Sequence, residues 1–186
     1  MAKAVDVAVI GAGAIGSAMA YYNAKNGASV ALIDSGDIAG GTSSRCDGNV
    51  LVSDKMPGFD AQFTKLSQDM FGQLQEELDY PFEWTQKGSL IVMESEAEMA
   101  AARKFCADMA GCGMPMRVLG QSEAHSDEPL LSADILGGIE TDCDGSLNPM
   151  ALCYALALKA QSLGAKLILR SAVRSIERIG ARRGAA

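Results

Sequence analysis

Blocks of apolar and polar positions mark the elements along this chain. Residues 5–10 form an apolar, valine-rich run that reads as a buried strand. From 14 to 26 the period turns helical, with Ile15, Ala18, Met19 and Tyr22 on one face and Gly27 as the stop. Residues 29–33 are a second buried strand ending at Asp34, and a small-residue loop covers 35–44. Helical spacing returns over 59–78 through Phe63, Leu66, Met70, Leu74 and Leu78. A strand at 89–93, an alanine-rich helix over 94–110 and a strand at 114–119 follow. A short helix at 121–125 then precedes a strand ending near Thr141. Asn148 is placed to cap a helix whose first residue is Pro149 and whose stop is Gly164. Short strands are expected at 166–169 and 173–179.

The order strand, glycine turn, helix, strand within the first 34 residues is a βαβ unit. Its turn reads Gly11-Ala12-Gly13-Ala14-Ile15-Gly16. In that motif the first glycine permits the tight turn, the second admits a pyrophosphate to the backbone, and the third lets helix pack on strand. The helix N-terminus adds unpaired N–H groups and a positive dipole end. Asp34, closing the second strand, is placed to accept from both ribose hydroxyls and would repel a 2′-phosphate, which disfavours NADP. The spacing alone leaves NAD and FAD open. Gly40-Gly41-Thr42-Ser43-Ser44 supplies a second hydroxyl-rich turn that can meet another phosphate or a ribityl chain, a need more natural to FAD.

A net charge of -7 without a basic stripe excludes nucleic acid as the main partner. Five cysteines, an odd number without a C-x-x-C pair, fit a reduced cytoplasmic protein. With one histidine, no metal site is expected. No transmembrane segment is expected either, because the N-terminal apolar run is too short. His125 reads as a solvated loop residue, Cys46 as a small buried thiol, and the ten methionines as core fillers.

The residues from Val7 to Asn49, with Gly-Ala-Gly-Ala-Ile-Gly-Ser, Asp34-Ser35-Gly36 and Gly-Gly-Thr-Ser-Ser, resemble the D-amino-acid oxidase-like flavoproteins. The likeness returns at Asp144-Gly145-x-x-Asn148-Pro149 with its helix, Gly164-Ala165 and Val173. Glycine oxidase, sarcosine oxidase and the D-amino-acid and hydroxyproline dehydrogenases are of this type. The resemblance implies an α/β fold, a Rossmann-like FAD-binding domain over 1–58 and 142–186. An incomplete α+β substrate-domain portion would be inserted at 59–141. It further implies that Gly11, Gly13, Ala14, Ile15 and Gly16 cradle the pyrophosphate of FAD, and that Asp34 and Ser35 hold the adenosine ribose. Thr42 and Ser43 would meet the phosphates or ribityl chain, and Asp47, Gly48 and Asn49 would pass the isoalloxazine ring. Val173 would offer its backbone to the adenine.

The implied reaction is oxidation of the C–N bond of an amino acid or secondary amine, with no catalytic residue assigned. Family members continue into substrate strands, a carboxylate-binding Arg and a last glycine-rich flavin segment, none of which this sequence contains. The expectation is therefore a fragment or truncated frame, or else a short subunit completed by a partner chain. An NAD-binding dehydrogenase module and a non-catalytic nucleotide-binding subunit are the competing readings.

Overall fold

The structure, a computed structural model, describes residues 4–177. The elements begin with β1 (Val7–Ile10), α1 (Ala14–Lys25), β2 (Val30–Ile33), a 3-10 turn at Thr42–Ser44 and β3 (Asn49–Val50). Next come α2 (Phe59–Asp69), α3 (Phe71–Leu78), β4 (Thr85–Gln86), β5 (Ser89–Met93) and α4 (Glu96–Gly111). The chain continues through β6 (Arg117–Gly120), α5 (Gln121–Asp127), β7 (Gly137–Thr141), β8 (Gly145–Ser146), α6 (Pro149–Ser162) and β9 (Lys166–Ile168). It falls into two compact units, residues 1–46 with 149–186 and residues 47–148. Residues 47–58 and 142–148 thus group by their contacts with the second unit.

The first unit is a parallel sheet in the order β1-β2-β9, with α1 and α6 packed together on it. Its mixed α/β character is the Rossmann-like class expected. The buried face of α1 is not the expected one. Ser17, Ala20, Tyr21 and Ala24 point inward, whereas Ile15 is 83% exposed and Met19 is also exposed. The reason lies in α6, which packs against α1 and buries Leu152, Cys153, Ala155, Leu156, Ala157 and Ala160. Gly27, with φ 87°, ends α1 as expected. The expected strand at 173–179 is not formed over its described part, and residues 178 and 179 lie outside the described residues.

The second unit holds an antiparallel sheet, β5-β7-β6, and a small sheet, β3-β8-β4. Helix α4 covers the larger sheet through Ala102 and Cys106 against Ile139. A second cluster gathers Val52, Ala61, Met109 and Met114. The helix expected over 59–78 is interrupted at Met70, giving α2 and α3. Leu74 and Leu78 of the expected apolar face are buried, but Phe63, Leu66 and Met70 are exposed. His125 sits half-buried in α5 rather than in a loop. Met99, Met109 and Met114 do fill core, while Met19, Met56, Met70 and Met150 are exposed. Among the described residues no helix is long and apolar enough to cross a membrane.

Candidate functional site

The turn after β1 is built by what its glycines lack. Gly11 has φ 105°, in the left-handed region that favours glycine. A Cβ on Gly16 would lie 1.7 Å from the Gly11 carbonyl oxygen, so the helix is seated directly against the turn. Gly13 is the N-cap of α1 and has no side chain to satisfy the first amides. Ser43 serves instead: its Oγ accepts from the Ala14 N–H at 3.1 Å. The same oxygen would stand 3.1 Å from a Cβ on Gly13. The first turn of α1 has no acidic residue, so its N–H groups and dipole favour an anion there.

Beside this turn, at the carboxyl ends of β1 and β2, lies a cleft of about 310 Å³. Ile10, Gly11, Ile33, Asp34, Ser35, Ser171, Ala172 and Val173 line it. The position is where open parallel sheets take their ligands, and the size is at the low end of the roughly 300–1,000 Å³ of ligand clefts. Asp34 braces the turn as well as facing the cleft. Its Oδ2 accepts from the Ala12 N–H and its Oδ1 from the Gly36 N–H, each at 2.7 Å. A carboxylate has about four acceptor sites, so capacity for hydroxyl donors remains.

The far wall is brought in by backbone ties. Ser171 N–H donates to the Asp34 carbonyl at 2.8 Å and Arg170 N–H to that of Gly36 at 2.9 Å. The Arg170 guanidinium also pairs with Asp37, 3.0 Å from Nε to Oδ1, which raises the Arg170 pKa further above its ordinary value. The fold thus gathers Gly11, Asp34, Ser35 and Val173 in one cleft, with Gly13, Ala14, Gly16 and Ser43 at the adjoining helix end. Ile15, in the first turn of α1, is exposed. Thr42 opens the 3-10 turn, its carbonyl accepting from Arg45 N–H at 2.9 Å. Ser171, Ala172 and the Asp37–Arg170 pair escaped sequence reasoning, because residues so far apart in the chain carry no signal that they meet.

Asp47, Gly48 and Asn49 belong to the second unit. There Asp47 Oδ1 accepts from the Asn49 N–H at 3.1 Å, and Oδ2 from the Asn49 side-chain amide at 3.0 Å. Gly48 accepts from the Leu147 N–H at 3.0 Å. Cys46, expected to be buried, is exposed, because the residues after the 3-10 turn run at the surface of the first unit. Cys153 is the buried thiol near this turn: burial pushes its pKa up, and a hydrogen bond with Ser43 partly offsets that. Among the described residues there is no group of His, Cys, Asp and Glu that could hold a metal ion.

The family described as FAD dependent oxidoreductase, DAO, matches residues 6–186. Glycine oxidase of Bacillus subtilis is 30% identical over 186 residues, covering 97% of this chain and 49% of that protein. The anaerobic glycerol-3-phosphate dehydrogenase subunit A1 of Haloferax volcanii is 30% identical over 176 residues, 95% of this chain and 30% of that protein. The solved glycine oxidase from Geobacillus kaustophilus superposes with a TM-score of 0.83 at 28% identity, over 89% of this chain and 46% of that one. The chain therefore spans less than half the length of each of these relatives.

Proposed function

The chain belongs to the DAO family of FAD-dependent oxidoreductases, and from that premise we propose that it binds the ADP half of FAD for the oxidation of an amino acid or secondary amine. The observation that carries the reading is the cleft that joins Gly11, Asp34, Ser35 and Val173 beside the N-terminus of α1. The residues fit the group. Gly11, Gly13, Ala14, Ile15 and Gly16 would hold the pyrophosphate, where a side chain on Gly16 would have no room. Asp34 and Ser35 would take the ribose hydroxyls, and Val173 the adenine. Thr42 and Ser43 would serve the phosphates or ribityl chain, and Asp47, Gly48 and Asn49 the ring.

When bound, FAD supplies a hydride acceptor, N5, for the substrate carbon next to nitrogen. The residues of this chain hold and orient; none is assigned the role of acid or base. Glycine oxidase among the relatives supports C–N chemistry. The glycerol-3-phosphate dehydrogenase relative supports a C–O alternative at equal identity. That relative is itself a subunit, which supports a partner chain or further polypeptide supplying the substrate side. Five free thiols support a reducing, cytoplasmic setting.

The test begins with the purified chain. Yellow protein with flavin absorbance, and FAD uptake measured by calorimetry, is the expected result. Binding of NAD without flavin would overturn the cofactor assignment. In the assembled holoenzyme, anaerobic bleaching by glycine, sarcosine, proline or D-amino acids is expected. Bleaching by glycerol 3-phosphate alone would replace C–N with C–O oxidation.

A further inference from the structure

The second unit contains a buried carboxylate that its hydrophobic pattern does not announce. Asp144 is 0% exposed, and each of its hydrogen-bond partners here is a donor. Its Oδ1 accepts from the backbone N–H of Val52 at 2.7 Å and of Ser53 at 3.2 Å. Its Oδ2 accepts from the Ser53 hydroxyl and, at 2.6 Å, from that of Ser89. A buried carboxylate is costly and persists where its oxygens are fully used. Here three of the four bonds go to one stretch of chain, the residues just after β3.

Other bonds hold the same stretch. Gln68 of α2, 1% exposed, donates its side-chain amide to the Val50 carbonyl at 3.2 Å. Asn49 pairs with Ser146 and Val50 with Gly145, while Gly48 accepts from Leu147. From Gly48 to Ser53 the backbone is thus fixed from one side by residues 144–147 and from another by Gln68. Apolar packing could bury this stretch, but it would not select one arrangement of its amides; directional bonds to a carboxylate do.

We infer that Asp144 is a positioning residue: through Val52 and Ser53 it anchors the backbone run 48–53, so that Asp47, Gly48 and Asn49, the residues proposed above for the flavin ring, keep one arrangement. The lock stands on the hydrogen bonds; its purpose rests on the cofactor reading above.

Asp144→Asn keeps the shape but turns one acceptor oxygen into a donor facing donors. Ser53→Ala removes one hydroxyl and spares the carboxylate, so it serves if the first variant does not fold. Two readouts separate lock from purpose: backbone amide exchange of the chain without FAD, and visible circular dichroism of the chain loaded with FAD. In Asp144→Asn, exchange across 47–53 is expected to speed up about ten- to hundred-fold relative to β5 and β7, as for lost charge-assisted bonds. Ser53→Ala shifts it in the same direction by less. The flavin band shape changes, while binding of ADP alone does not. Unchanged exchange at 47–53, or uniform acceleration across the unit, would overturn the lock. Altered exchange with an unaltered flavin band would overturn its role toward the ring. A wild-type chain that takes up no FAD overturns the cofactor reading and that role with it, and the exchange result still decides the lock.

Discussion

Gly16 shows how much one missing methyl group can carry. A Cβ there would meet the Gly11 carbonyl oxygen at 1.7 Å, and backbone rather than a flexible side chain would have to yield. Gly16→Ala should destabilise the chain by about 1–3 kcal/mol or more, in the manner of an overpacked core, and should abolish FAD uptake. Gly41→Ala is the matched control: nothing lies within 4 Å of its added carbon, and a change within about 0.5 kcal/mol is expected. Urea unfolding of both variants checks this, and equal midpoints would sink the argument. The glycines were legible in the sequence because a turn between strand and helix leaves few other choices. The sequence marks Ser43 as a hydroxyl in a small-residue turn, but not as the acceptor for Ala14, because that bond joins residues far apart in sequence. Asp144 belongs to a recognisable motif, yet its burial is invisible in the sequence, since no periodicity distinguishes a satisfied buried carboxylate from a solvated one.

At the scale of elements, α4 is the clearest case of local sequence dictating local structure. Ser95 Oγ accepts from the Glu98 N–H at 3.3 Å, and Glu98 Oε2 accepts from the Ser95 N–H at 2.9 Å, a reciprocal cap. Backbone donation from Glu94, then the Ser95 bonds, hold the Glu98 pKa below its ordinary 4.5. A lowered folded pKa means that the stabilisation is complete above the unfolded value and is lost as pH falls through the folded one. The unfolding midpoints of wild type and Glu98→Gln should therefore differ at pH 7, and the gap should narrow as pH falls below about 4.5 and close once it passes the lowered folded value. A gap that persists undiminished in acid would refute the assignment. The existence of α1, α4, α6, β5 and β7 could be read from pattern alone. The buried face of α1 could not, because apolar periodicity favours Ile15 and Met19, whereas the fold buries Ser17, Ala20, Tyr21 and Ala24 in a helix packed against α6. Nor could the break at Met70: apolar spacing continues across it into α3.

At the scale of the whole molecule, the described residues of α2 and its C-cap carry an apolar face that departs from a water-adapted surface. Phe59, Phe63, Leu66 and Met70 recur at helical spacing and are all exposed, with the two phenylalanine rings stacked at 5.8 Å. Such a face drives association in water. The chain is expected to self-associate with rising concentration in sedimentation velocity, and Phe63→Lys to abolish that while shifting stability by no more than about 0.5 kcal/mol. A wild type that stays monomeric, or association unchanged in Phe63→Lys, would overturn this reading of the face. The interrupted arrangement of the first unit carries a different consequence, one of timing. Ala31 of β2 pairs with Lys166 of β9, yet the whole second unit is synthesised between them. A ribosome delivers that contiguous middle unit in one piece, ready to collapse on itself. The edge of β2 must wait with its backbone groups unpaired until β9 emerges. Closing so long a loop is slow, and the waiting strand edge is the part of the nascent chain most open to mispairing and chaperone capture.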